Sequence, residues 1–214
     1  IDFKDMINMA THFVEQRKYI SPYKYVIVDE YQDISKARFS LLNSMRKSKD
    51  YDLFCVGDDW QSIYRFAGSD IGYILNFEQY WGSTEISKIE TTYRFTQKLI
   101  EISGNFIMQN PVQIKKSIKG KNDTVGFALG EISGYTDKFS IKFMAKKLED
   151  LPKDSSVFFI GRYSFDAKLL SDSGLFECQY NNVGGFVEVK YRTRIDLKMS
   201  FITAHKSMGL QADY

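Results

Sequence analysis

Two short apolar runs, YVIV at 25–28 and DLFCVG at 52–57, bracket a segment of helical periodicity, and this alternation constrains the fold more than any other feature. Both runs are continuous rather than alternating, as expected of strands buried on both faces. Between them Ala37, Arg38, Leu41, Leu42 and Met45 recur at helical spacing across 35–48. Strand, helix, strand in that order predicts a βαβ unit, hence a parallel sheet covered by helices. Ahead of the first run, Phe3, Met6, Ile7, Ala10, Phe13 and Val14 predict an amphipathic helix over 2–18 with Asp2 as its cap.

The pattern then restarts. TEISKIE (84–90) reads as a strand, and TQKLIEISGNFIMQN (96–110) reads as a helix that begins at a Thr cap and stops at Pro111. A loop carrying Lys115, Lys116, Lys119 and Lys121 follows. VGFAL (125–129) and SVFFIG (156–161) read as strands on either side of a helix over 137–150, and MSFITAH (199–205) as a last strand. Between these, NNVGG and EVKYRTR resemble a short hairpin. The expected division is a first domain over 1–88 and a second over 89–214, both α/β.

The composition excludes several classes. Cys55 and Cys178 stand far apart without ligand-like spacing, which predicts a reduced intracellular protein with neither disulfide framework nor zinc site. No stretch is long and apolar enough to span a bilayer. A formal charge of +2 leaves nucleic-acid binding to local patches. The start at Ile1 and the end on QADY predict a piece of a longer chain.

The chemistry begins at VDEYQD (28–33). In open parallel sheets, ligands bind beyond the carboxyl ends of the strands, where Asp29 and Glu30 stand. A carboxylate there can hold Mg²⁺ through its waters, and a neighbour can orient or deprotonate a water. The same pair equally suits the start of a loop that caps the next helix. VGDDWQSIYRFAGSD (56–70) puts Gln61 just past the second strand. There an amide can contact a terminal phosphate and register its loss. Trp60, Tyr64 and Phe66 flank Arg65 in a Gly/Asp-rich setting, the combination that stacks bases and pairs phosphate in single strands, although core packing is the commoner fate of such rings. Arg94 in TTYRF (91–95) follows a strand-like run, as an arginine entering a phosphate site would. TAHKSMGLQ (203–211) offers Thr203, His205 and main-chain amides to a backbone phosphate.

In this order VDEYQD, VGDDWQSIYRFAG, TTYRF and TAHKSMGLQ resemble motifs II to V of the superfamily 1 DNA helicases of the UvrD/Rep type, with wording nearest the bacterial helicase IV branch. DFKDMI (2–7) resembles a segment that precedes motif II there. The resemblance implies parts of two RecA-like domains that close on ATP and Mg²⁺ and step along single-stranded DNA and duplex junctions, 3′ to 5′, in a cytoplasmic, nucleoid-associated repair or replication setting. It implies that Asp29 positions Mg²⁺ and Glu30 activates water, while Gln61 contacts the γ-phosphate. It gives Arg94 the inter-domain arginine role and Tyr93 the adenine stack. It assigns Trp60, Tyr64, Arg65, Phe66, Thr203 and His205 to DNA, and puts Gln211 where the family carries a ribose-contacting Glu.

The departures from the family are equally specific. No G-x-x-x-x-G-K-[ST] run occurs, so the chain alone is expected to bind ATP poorly and hydrolyse almost none. Met208 replaces the usual Lys of motif V. The short distance from FFIGR to TAHK leaves no room for the family's large inserted subdomain. The alternative from another class is a non-hydrolysing single-stranded DNA-binding or protein-docking module with a helicase-like fold.

Overall fold

The computed structural model describes residues 1–121, 136–180 and 185–214. The chain forms two compact units, Ile1–Phe127 and Ala128–Tyr214. Residues 89–121 fall within the first of these units.

In the first unit, α1 (Phe3–Glu15) starts from a reciprocal cap. Asp5 N donates to Asp2 Oδ1 at 2.8 Å and Asp2 N to Asp5 Oδ2 at 3.1 Å. It packs against α2 (Lys36–Ser48), which begins at Ser35. Strands β1 (Tyr25–Val28) and β2 (Asp52–Cys55) pair in parallel, from Tyr25↔Asp52 to Val28↔Cys55. The inward side chains Val28 and Cys55 rest on a core of Tyr31, Ile34 and Tyr73. Here Trp81 Nε1 donates to the Tyr31 hydroxyl at 2.7 Å in the interior. The helices α3 (Gly72–Leu75) and α4 (Phe77–Trp81) carry Tyr73, Phe77 and Trp81 into this cluster.

Two expectations need correction in this unit. The strands are not covered on both faces: Tyr25, Ile27 and Phe54 remain 64%, 72% and 63% exposed. Among the described residues the core lies on one side of the pair only. TEISKIE forms no strand either. The ladder instead joins β3 (Thr91–Thr92) to β4 (Lys119–Gly120) in parallel, where Lys119 N and Lys121 N donate to Glu90 O and Thr92 O. With pairing partners only there, Ile86 and Ile89 stay exposed. The expected helix is present as α5 (Gln97–Ile107), with Thr96 accepting from Leu99 N.

In the second unit, α6 (Asp137–Glu149) starts at Thr136 and buries Ile141, Ala145 and Leu148. A short helix, α7 (Lys168–Asp172), precedes the outer strands. The sheet runs β5-β8-β7-β6, with β5 (Ser156–Gly161) parallel to β8 (Arg194–Thr203). The strands β7 (Val187–Tyr191) and β6 (Phe176–Tyr180) add antiparallel neighbours. The last strand starts earlier than expected, because Leu197, Met199 and Phe201 bury at every second position against Val157 and Val189. Arg194 fastens the strand to the end of α6, donating to Leu148 O, Glu149 O and Leu151 O at 3.0, 2.8 and 3.0 Å. The expected strand VGFAL, and 181–184 of NNVGG, lie outside the described residues. No helix among the described residues is long and apolar enough to cross a membrane.

Candidate functional site

Parallel pairing of β1 and β2 delivers two acidic segments to one sheet edge. Val56 N donates to Val28 O at 2.8 Å, and Tyr31 N donates back to Val56 O at 2.9 Å. The chain beyond β1 thus turns against the chain beyond β2. Asp29 and Glu30 are exposed at this edge, with Glu30 N donating to Asp29 Oδ1 at 2.8 Å. Glu30 adopts φ 49° and ψ 45°, a left-handed conformation that costs a non-glycine residue about 1–3 kcal/mol. From there the 3₁₀ turn Tyr31–Asp33 runs back into the core.

Gln32 joins the two segments. Its side chain is wholly buried; Nε2 donates to Glu30 Oε2 at 2.6 Å and Oε1 accepts from Asp58 N at 2.9 Å. Asp58 caps the next 3₁₀ turn, Asp59–Gln61, by accepting from Trp60 N. It also accepts from Gln61 Nε2 at 2.7 Å and pairs with the Lys116 ammonium. Burial pushes the Asp58 carboxyl up, but the bonds from Lys116 and Gln61 outweigh it and hold it below the ordinary aspartate range.

Around the same edge a cleft of about 380 Å³ is lined by Asp29, Glu30, Asp33 and Arg38 above Leu41 and Leu42. Burial, reinforced by the charge of Glu30, raises the Asp33 carboxyl against the pull of Arg38. Among the described residues Asp33 Oδ1 is buried without a hydrogen-bond partner. No group of three or more His, Cys, Asp or Glu converges among the described residues.

The aromatic segment divides in two. Trp60 is half-buried: Nε1 donates to Ile114 O at 2.9 Å, and the Lys116 ammonium lies 5.2 Å from its ring centre. Phe66 is 74% exposed, 6.1 Å from the Tyr64 ring, on a 3₁₀ turn (Arg65–Ala67) closed by Gly68 at φ 89°. Arg65 is exposed beside it. Tyr93 and Arg94 are exposed after β3, with Lys121 over the Tyr93 ring and the Arg94 guanidinium over Phe95.

In the second unit, Thr203 ends β8 beside the end of β5, and Ala204 N donates to Gly161 O at 3.0 Å. The following turn is held by Lys206 N and Ser207 N on Thr203 O. His205 and Met208 are half-buried in it, and Gln211 is exposed.

Sequence reasoning missed Gln32, Lys116 and Asp59 in the first unit. It also missed an exposed Tyr163–Phe165 stack, 5.0 Å between ring centres, beside Arg162 in the second. Gln32 lies inside VDEYQD and was legible as a polar residue in a buried turn. The ties of Lys116 were not, because 58 residues separate it from Asp58.

Residues 1–81 match the family model described as the UvrD/REP helicase N-terminal domain. DNA helicase IV of Escherichia coli is 33% identical over the whole chain, which covers 29% of that protein. ATP-dependent DNA helicase PcrA of Bacillus subtilis is 27% identical over 92% of the chain and 28% of its own length. A probable DNA helicase II homolog of Rickettsia conorii is 32% identical over 65% of the chain and 21% of its own length. The chain thus spans less than a third of the relatives it matches.

Proposed function

The chain belongs to the UvrD-type superfamily 1 helicases, and from that premise we propose that it carries the hydrolytic and coupling residues of an ATP-dependent motor on single-stranded DNA. One observation carries the reading. The parallel β1–β2 pair brings Glu30 and the Asp58–Gln61 turn to one edge, and a single buried amide ties them together.

ATP with Mg²⁺ supplies the phosphoanhydride whose cleavage drives movement. Asp29 would hold the metal through water, and Glu30, exposed at the strand edge and held by Gln32, would orient the attacking water and take its proton. Gln61 presents an uncharged amide that makes or loses a contact as the terminal phosphate comes and goes. Arg94 supplies the transition-state arginine, and Tyr93 stacks on the base. Phe66 and Tyr64, with Arg65, hold the strand, so a change at Gln61 reaches bound DNA within a few residues. Thr203, His205 and the turn beyond them contact the DNA backbone, and Gln211 the ribose. Translocation runs 3′ to 5′. The 214 residues contain no phosphate loop, so hydrolysis belongs to a polypeptide that supplies one, and this chain alone is inactive.

The test is DNA-stimulated ATPase of the full-length polypeptide carrying this chain, with Glu30→Gln beside it. Loss of a general base lowers the rate by about 10²–10⁴-fold. Equal rates would remove Glu30 from that role. Salt-sensitive binding of single-stranded DNA by the full-length protein, with no ATPase, would favour a docking module instead.

A further inference from the structure

The two ends of the Gln32 amide face partners that leave it no choice of orientation. A carboxylate only accepts, so Nε2 must point to Glu30. A backbone N–H only donates, so Oε1 must point to Asp58. The main chain of Gln32 joins as well, its carbonyl accepting from Ser62 Oγ at 3.4 Å. Gly57 makes room for the arrangement: a Cβ there would stand 2.9 Å from Gln32 Oε1 and 3.2 Å from its N. The amide is fully buried, so neither end can turn to solvent when a partner leaves, and an unmade bond there carries the full desolvation cost.

We infer that Gln32 is the positioning residue of the site, holding the Glu30 carboxylate in place and binding its position to that of the Asp58–Gln61 turn. This rests on the reading of Glu30 as the base. The path is continuous: Glu30 to Gln32, Gln32 to Asp58 N, and Asp58 Oδ2 to Gln61 Nε2. Movement of Gln61 that shifts Asp58 breaks or drags the bond at Oε1. The same rigid amide then releases or re-aims Glu30. The base and the phosphate contact therefore switch as one element. Asp29, Asp33 and Arg38 are the other charged groups lining the cleft at Glu30, and Lys116 is the cation on Asp58.

The decisive substitution is Gln32→Glu in the full-length polypeptide, which keeps the shape and replaces the donor facing Glu30 with a second carboxyl. Expected are a fall in kcat of about tenfold or more, a KM for ATP within about twofold, and an acidic limb of the pH–rate profile moved up by about one unit. Gln32→Met, of similar volume and uncharged, is expected to lower kcat and the DNA stimulation ratio and to move that limb up by less than Gln32→Glu does, since it removes the donor without adding a charge. A second readout needs no nucleotide. In the folded wild-type chain the Asp58 N–H should be protected from hydrogen exchange, and Gln32→Met should lose that protection at Asp58 while β1 and β2 keep theirs. An unprotected Asp58 N–H in the wild type overturns the proposal. So does an unchanged kcat and pH profile in folded Gln32→Glu when Glu30→Gln is inactive. Full activity of Glu30→Gln would instead remove the reading beneath it.

Discussion

Lys116 places its ammonium 2.5 Å from Oδ1 of Asp59, a carboxylate that is 1% exposed. The same ammonium pairs with Asp58, and Asp59 Oδ2 accepts from Ile114 N at 2.8 Å. One lysine from the loop before β4 therefore neutralises both acids of the GDDWQ segment and stabilises the turn that carries Gln61.

Removing that cation strands a buried charge. Lys116→Met should destabilise the first unit by about 3–5 kcal/mol, the usual cost of breaking a buried pair from one side. Asp59→Asn in the same background should recover part of the loss, because the uncompensated carboxylate goes with it. Chemical denaturation of both variants and the double mutant closes the cycle. A Lys116→Met protein as stable as wild type would show that water reaches Asp59 freely.

Asp33 runs the other way. Burial and the Glu30 charge raise its carboxyl, so its contribution is fully present below the ordinary aspartate value and is lost as pH rises through the raised one. Asp33→Asn should therefore melt higher than wild type at neutral pH, and the two curves should converge in acid. Thermal melts across pH 3–8 check this, a range of roughly the span over which carboxyl linkage acts. A variant that melts lower at neutral pH would mean that the ionised form is the favoured one.

In the second unit the sign reverses again. The Arg194 hydrogen bonds hold Asp196 down to about 2, with Arg194 NH2 2.7 Å from its Oδ2. The stabilisation this gives is present above the ordinary aspartate value and disappears as pH falls toward about 2. Asp196→Asn should lower the melting temperature at neutral pH and flatten its acid dependence. If wild type and variant fall in parallel below pH 4, roughly where free carboxyls titrate, the pair carries no linkage.

Much of this was legible because it is local. Helix periodicity gave α1, α2, α5 and α6 within a few residues of their ends, and Asp2, Ser35, Thr96 and Thr136 all serve as caps. Asp29, Glu30 and Gln61 share an edge because parallel strands put their carboxyl ends together. Burial was less legible. Periodicity says which side chains agree in direction, not whether anything covers them, so YVIV is less enclosed than its continuous apolar run suggests. The Gln32–Asp58 bond and the Lys116 clamp join residues far apart in sequence, and no local spacing marks them.

Phe66 offers the sharpest separation of core from surface roles. Its ring is mostly exposed, so truncation removes little packing, and Phe66→Ala should change stability by no more than about 0.5 kcal/mol. Loss of one base stack costs about 1–3 kcal/mol of binding. In the full-length polypeptide, that corresponds to about a 5- to 150-fold weaker Kd for a fluorescent oligothymidine, read by anisotropy at fixed salt. Binding of ATP without DNA should be unaffected, since the ring's proposed role is on the DNA strand and not on the phosphates. A large fall in melting temperature with unchanged DNA affinity would place Phe66 in the fabric of the domain and leave Arg65 and Tyr64 to hold the strand.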